Sequence, residues 1–113
     1  MKFNKFAQAL LESLDQPVME EDSWGNKRWY VKGKLHNNGA PAVLGSRGNY
    51  EAWYSHGKLH RLDGPARITN NGAYYYINGV ELTKDEFDKR VEFAKEMSQK
   101  EDKMFDDDFL DGL

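Results

Sequence analysis

The sequence predicts an α+β fold: an antiparallel β-meander of repeated units flanked by an amphipathic helix at each end. Three observations predict it. The pattern Trp-Tyr-x-x-Gly-Lys-Leu-His-x-x-x-x-Pro-Ala begins at Trp29 and again at Trp53, and its opening returns as Tyr75-Tyr76-Ile77-Asn78-Gly79. Laying residues 29–52 on 53–76 leaves ten of 24 positions identical, so the middle of the chain reads as about two and a half 24-residue units. A period in this range belongs to stacked or meandering repeat architectures. The second observation is a series of x-Gly pairs punctuating short aromatic or β-branched runs. The third is apolar spacing of three and four residues on either side of the repeats.

Taken in order, residues 1–16 place Phe3, Phe6, Ala7, Leu10, Leu11 and Leu14 on one stripe of a helix that Pro17 ends. Such a stripe packs as core or as a contact between two copies, so a homo-oligomer through this helix is one expectation. Residues 17–25 are acidic and aperiodic and read as a linker. From Asn26 to Leu82 the pairs Lys32-Gly33, Arg47-Gly48, His56-Gly57, Asn71-Gly72 and Asn78-Gly79 mark turns, because Gly accepts the positive φ that tight hairpins need. Strands are expected at 27–31, 34–36, 42–45, 49–54, 58–60, 65–69, 73–77 and 80–82. Alternation then puts Trp29, Trp53 and Tyr75 on one face with Val31 and Ile77, and Tyr30, Tyr54 and Tyr76 on the other.

Thr83-Lys84-Asp85-Glu86 is a capping box, with Leu82 and Phe87 placed as a hydrophobic staple. The helix it starts is expected over 84–103, with Phe87, Val91, Ala94 and Met97 on its buried side and the sheet beneath it. The repeat sheet and this helix form one unit, 26–103. Residues 104–113 are acidic and too short to bury themselves, which predicts disorder unless a partner orders them.

The charges sort by segment. Residues 24–80 carry eight Lys or Arg against two acids, a balance of +6, while residues 1–23 sum to −3 and residues 81–113 to −6. A basic aromatic middle between acidic flanks fits an anionic partner, or mutual neutralisation when the segments pack. The chain has no cysteine, which excludes disulfides, thiol nucleophiles and thiolate zinc sites. No apolar run approaches the ~20 residues of a membrane span, and no leader pattern is present, so the expected setting is cytoplasmic, without membrane insertion.

No nucleophile with a base, metal-ligand cluster or phosphate loop stands out, so the chain reads as a non-enzyme without cofactor or metal. His36 and His60 occupy equivalent places and are expected to close turns by hydrogen bonding. Asp63-Gly64-Pro65 reads as a turn. The row Trp29, Trp53 and Tyr75 is expected as core, leaving Arg28, Tyr30, Lys32, Tyr54, Arg61 and Tyr76 as the candidate binding surface. Phe105, Asp106, Asp107, Asp108, Phe109 and Leu110 form a candidate partner tail, similar to the acidic tips with which single-strand-binding proteins dock on basic apolar pockets.

The second unit, Gly57-Lys58-Leu59-His60-Arg61-Leu62-Asp63-Gly64-Pro65-Ala66, resembles the Gly-Lys-Leu-His-Arg-x-Asp-Gly-Pro-Ala consensus of a MORN-like repeat family of tailed bacteriophages, giant viruses and mobile elements. The resemblance covers residues 28 to about 90 and extends through the Asn78-Gly79-Val80-Glu81-Leu82-Thr83 helix entry. The first unit departs from it, with Asn37 and Gly39 where the Arg and Asp of the motif would stand. The resemblance implies a small phage or mobile-element accessory protein that binds and inhibits or modulates a host factor, for example a defence or nucleic-acid-processing enzyme. Aromatics interleaved with bases also fit direct nucleic-acid binding by the same sheet, as the alternative.

Overall fold

The structure, a computed structural model, describes residues 16–104. The expected N-terminal helix and the candidate tail from Phe105 to Leu110 lie outside the described residues. Ten strands precede one helix: β1 (Val18–Glu21), β2 (Lys27–Val31), β3 (Lys34–Leu35), β4 (Val43–Leu44), β5 (Glu51–Ala52), β6 (Tyr54–Ser55), β7 (Lys58–Leu59), β8 (Arg67–Thr69), β9 (Gly72–Ile77), β10 (Val80–Leu82) and α1 (Lys84–Met104). All pairings are antiparallel. The main sheet runs β1-β2-β4-β5-β8-β9-β10, with β3 added to β2, while β6 and β7 form a separate hairpin. The chain is thus an antiparallel α+β fold with one helix after the sheet.

The hairpins are closed by turns whose two central residues both have positive φ: Lys32 (50°) with Gly33 (79°), His56 (51°) with Gly57 (86°), and Asn78 (50°) with Gly79 (82°). This is the type I′ geometry, whose twist matches that of the flanking strands. Gly at the second position adopts it without cost, whereas the side chain at the first position needs outside support. That support comes from the preceding hairpin. The backbone N–H of His56 donates to Nδ1 of His36, and that of Asn78 donates to Nδ1 of His60, each at 3.0 Å. The glycine N–H groups follow suit: Gly57 donates to the Leu35 carbonyl at 2.8 Å and Gly79 to the Leu59 carbonyl at 2.7 Å. The His56-Gly57 and Asn78-Gly79 turns are therefore each held by two bonds from the hairpin before. The spacing is 24 residues from Lys32 to His56 and 22 from His56 to Asn78, so the last interval is shorter than the 24-residue period read from the first two units.

The buried set is small: Ala42, Ala52 and Ala66 at 0% exposure, Phe87 at 5% and Leu82 at 8%. The alanines lie where strands cross closely. Trp29 N–H donates to the Ala42 carbonyl, Ala42 to Ala52, Trp53 to Ala66 and Ala66 to Tyr74, so main-chain bonds join the segments at these buried methyl groups. Trp53 itself interrupts the strand expected over 49–54, its indole N–H donating to Glu51 at 3.0 Å.

Two expectations require correction. Residues 17–25, read as an acidic linker, contain β1, which pairs along β2 with Glu20 opposite Arg28 and Glu21 opposite Lys27. Opposite charges across the ladder take the place of the apolar alternation that marks a strand in sequence. Helix α1 does not bury Ala94 or Met97. It packs on β9 and β10, with Phe87 against Tyr75 at 4.8 Å between ring centroids, and beyond half-buried Val91 it has no further strand to cover. Its start is the capping box read from sequence: Thr83 N–H donates to the Glu86 carboxylate and Glu86 N–H to the Thr83 hydroxyl, both at 3.1 Å.

The β1–β2 turn is organised by Asp22, whose carboxylate accepts from Trp24 N–H, Asn26 N–H, the Asn26 amide and the Arg28 guanidinium at 2.9–3.2 Å. Desolvation pushes this carboxyl up, but the bonds from Asn26, Arg28 and Trp24 outweigh it and hold its pKa at about 2, below the ordinary 3.8. A folded pKa below the unfolded one stabilises the fold above about pH 4, and that contribution is lost as pH falls towards about 2. The melting-temperature difference between wild type and Asp22→Asn is expected to be largest above about pH 4 and to shrink across this window; a pH-independent difference would show that the carboxylate charge plays no part. The His60→Phe substitution keeps a ring but removes the acceptor for Asn78 N–H, and is expected to cost about 1 kcal/mol in urea unfolding.

Candidate functional site

Directly paired residues point to the same face of a sheet, so the register sorts the side chains. One cross-strand row is Arg28–Val43–Ala52–Arg67–Tyr74. Val18, Tyr30 and Leu35 join it at one end, and Tyr76 and Glu81 at the other. The opposite row is Lys27–Leu44–Glu51–Ile68–Ala73, continued by Met19 opposite Trp29 and by Leu82 opposite Tyr75. Phe87 of α1 packs on Tyr75 in this second row. The helix therefore roofs the tryptophan side at its β9–β10 end, and the tyrosine side is left uncovered by α1.

The uncovered face carries most of the candidate surface. Arg28 and Tyr54 share a recess of about 430 Å³ with Asn26, Leu35, Val43, Asn49 and Tyr50. Tyr30 and Lys32 line a second recess with Val18 and Glu20. The Tyr54 phenol is pushed up by desolvation and by the Tyr50 and Tyr76 hydroxyls, with Arg67 opposing them, so three side chains from β8, β9 and the loop before β5 act on it electrostatically. A phenol so placed stays protonated at neutral pH and can donate a hydrogen bond to a ligand. Arg28 is already engaged, donating to Asp22 at 3.2 Å.

Arg67, Tyr50 and Tyr74 were not singled out from the sequence, yet they stand at the centre of this face. The Arg67 guanidinium lies 5.2 Å from the Tyr74 ring centroid, and its Nε is buried with no hydrogen-bond partner. An unsatisfied buried donor costs about 1–3 kcal/mol, a cost this position carries within the fold. The signal in sequence was its place in a strand pair: alternation from Arg67 across to Tyr74 puts both on the face of Tyr76.

Arg61 belongs elsewhere. Its guanidinium stacks 3.8 Å from the Trp53 ring centroid, donates to Asp63 at 2.8 Å and to the Pro65 carbonyl at 3.1 Å, and its side chain is 18% exposed. The Asp63 carboxyl is held low chiefly by that bond from Arg61. In the first unit, Asn37 makes the equivalent bond, its amide donating to the Pro41 carbonyl at 2.9 Å, 24 residues earlier at both ends. Arg61 thus braces the loop before Ala66 and does not join Tyr30, Tyr54 and Tyr76.

Beyond their bonds to the next turn, His36 donates through Nε2 to Asn38 at 2.8 Å and tilts against the His56 ring at 4.5 Å. Nδ1 accepts from a backbone N–H, which fixes the proton on Nε2. Among the described residues, no group of three or more His, Cys, Asp or Glu is placed to hold a metal ion, and no helix is long and apolar enough to cross a membrane. The chain matches no family model, no curated protein and no solved structure.

The stacking of Arg61 gives a measurable asymmetry. Arg61→Ala, which removes the guanidinium from Trp53 and Pro65 together, is expected to cost about 1–2 kcal/mol in chemical denaturation. Asp63→Ala removes only an exposed ion-pair partner and is expected to cost less than about 1 kcal/mol. Equal losses would mean that the ion pair, and not the stack, carries the loop.

Proposed function

We propose that this chain is a non-enzymatic protein-binding module of the MORN-like repeat kind, an accessory protein of a phage or mobile element that binds a host protein and inhibits or modulates it. The observation that carries the reading is the tyrosine face that α1 leaves uncovered. Tyr30, Tyr50, Tyr54, Tyr74 and Tyr76 are half-buried there beside Arg28 and Arg67. Tyrosine and arginine are the residues that concentrate binding energy at protein interfaces, since each offers a large contact area with a directional polar group. The recurrence of equivalent bonds from one hairpin to the next supports the repeat reading, with two units closed by the partial third at β9–β10.

The contact set on this reading is Tyr30, Lys32, Tyr54 and Tyr76 with Arg28 and Arg67, and Arg61 acts as a brace behind it. An acidic protein surface is the complementary partner, because Arg28, Lys32 and Arg67 set cationic groups among the tyrosines of this face. Single-stranded nucleic acid would use the same rings by stacking, and its signature is a steep loss of affinity with added salt.

The test is capture from nuclease-treated bacterial lysate with wild type, Arg67→Glu and Tyr54→Ser, each checked for an unchanged unfolding midpoint. A stoichiometric host protein retained by wild type and lost by both variants is the expected result. Capture that both variants leave intact would overturn the assignment of this face, and capture that disappears with nuclease would replace the protein partner by nucleic acid.

A further inference from the structure

The tryptophan side carries a second feature that the tyrosine face does not use. Where α1 leaves the sheet, it opens an apolar groove of about 660 Å³ between its residues 89–98 and Leu62 and Ile77. The groove is lined chiefly by carbon, and two of its walls are large side chains facing solvent, Leu62 at 53% exposure and Phe93 at 63%. An apolar surface of this kind, rimmed by charge, marks a place where something binds. The rim is cationic: Lys89, Arg90 and Lys95 stand along it, and among the described residues none of the three makes an ion pair. The single acid at the groove, Asp63, is taken by Arg61.

We propose that residues 105–113 of the same chain occupy this groove. They carry Phe109 and Leu110 for its apolar floor and Asp108 and Asp111 for its basic rim, with no base among residues 105–113. The reach is sufficient. From the end of α1 at Met104, the groove lies six to fifteen residues back along the helix, or about 9–22 Å at 1.5 Å per residue. Nine residues of extended chain span up to about 30 Å, so the segment can run back along α1 with its acids beside Lys95, Arg90 and Lys89 in turn. The other apolar segment outside the described residues is a poorer candidate. It enters through β1, at the opposite edge of the sheet from β10.

The segment docked there shields Phe93 and Leu62 from water, and it makes the groove a site for an acidic, phenylalanine-bearing peptide that the chain supplies to itself. This inference does not rest on the function assigned to the tyrosine face.

The chain has no cysteine, so a nitroxide can be placed at Gly112→Cys in the full-length protein and read by its broadening of backbone amide signals. Amides of Leu62, Ile77 and residues 89–98 are expected to lose most of their intensity, while those of β2 and β4 keep theirs. The double substitution Arg90→Glu, Lys95→Glu, on exposed positions of α1, is expected to restore the groove signals in a spectrum otherwise unchanged. Groove signals of full intensity in the wild-type background would overturn the proposal. So would broadening that appears equally when unlabelled nitroxide-bearing chains are mixed with isotope-labelled chains lacking the nitroxide, which would assign the groove to a second copy. Broadening of the groove by a nitroxide at Lys2→Cys in place of Gly112→Cys would assign it to the N-terminal stripe.

Discussion

The bond from a histidine Nδ1 to the N–H of the next type I′ turn is the interaction on which the rest of this structure depends. With only five buried residues among those described, one of them in α1, this small sheet has little apolar burial to set one hairpin against the next. It relies on directional main-chain bonds, and these need an acceptor at a fixed height above each turn. His36 and His60 supply it, and the Leu35 and Leu59 carbonyls supply the second. Together they hold a non-glycine residue in the left-handed region, where L side chains are strained. Local conformation and contact between neighbouring hairpins thus depend on the same atoms.

With the hairpins joined in this way, close strand crossings become possible, and the small residues follow from them. Ala42 and Ala66 close equivalent Pro-Ala positions, and Asn37 and Arg61 reach equivalent proline carbonyls with different side chains. The second unit adds the stack on Trp53 and the ion pair to Asp63. That extra bracing stands next to the helix-covered end of the sheet, where the chain must also position β9 and β10 for α1. The two faces then diverge in character: one partly roofed by α1 through Phe87 and Tyr75, the other rich in tyrosine and not covered by α1.

Much of this was legible in the chain. Of the five x-Gly pairs read as turns, Lys32-Gly33, His56-Gly57 and Asn78-Gly79 adopt two successive positive φ values, whereas Arg47 and Asn71 do not and Gly72 already belongs to β9. Thr83 and Glu86 announced the helix start, and strands β2 and β10 fall where alternation put them. Strand β1 was not legible. Its Glu20 and Glu21 look like a solvated linker until the register sets them opposite Arg28 and Lys27. The extent of the helix's buried stripe was misread for a related reason: periodicity marks the face of Val91, Ala94 and Met97 but not where the sheet beneath them stops.

The candidate surface divides in the same way. Sequence by itself determined the tight turns at Lys32-Gly33, His56-Gly57 and Asn78-Gly79, the helix cap and the alternation that separates Trp29 and Tyr75 from Tyr30 and Tyr76, because each is set by residues a few positions apart. Only the tertiary structure decided that Arg61 turns back onto Trp53, that Arg67 stands among Tyr50, Tyr54 and Tyr76, and that α1 parts from the sheet to open a basic-rimmed groove. Those outcomes depend on which strand lies beside which and where the sheet ends, and contacts between residues distant in the chain carry no local signature.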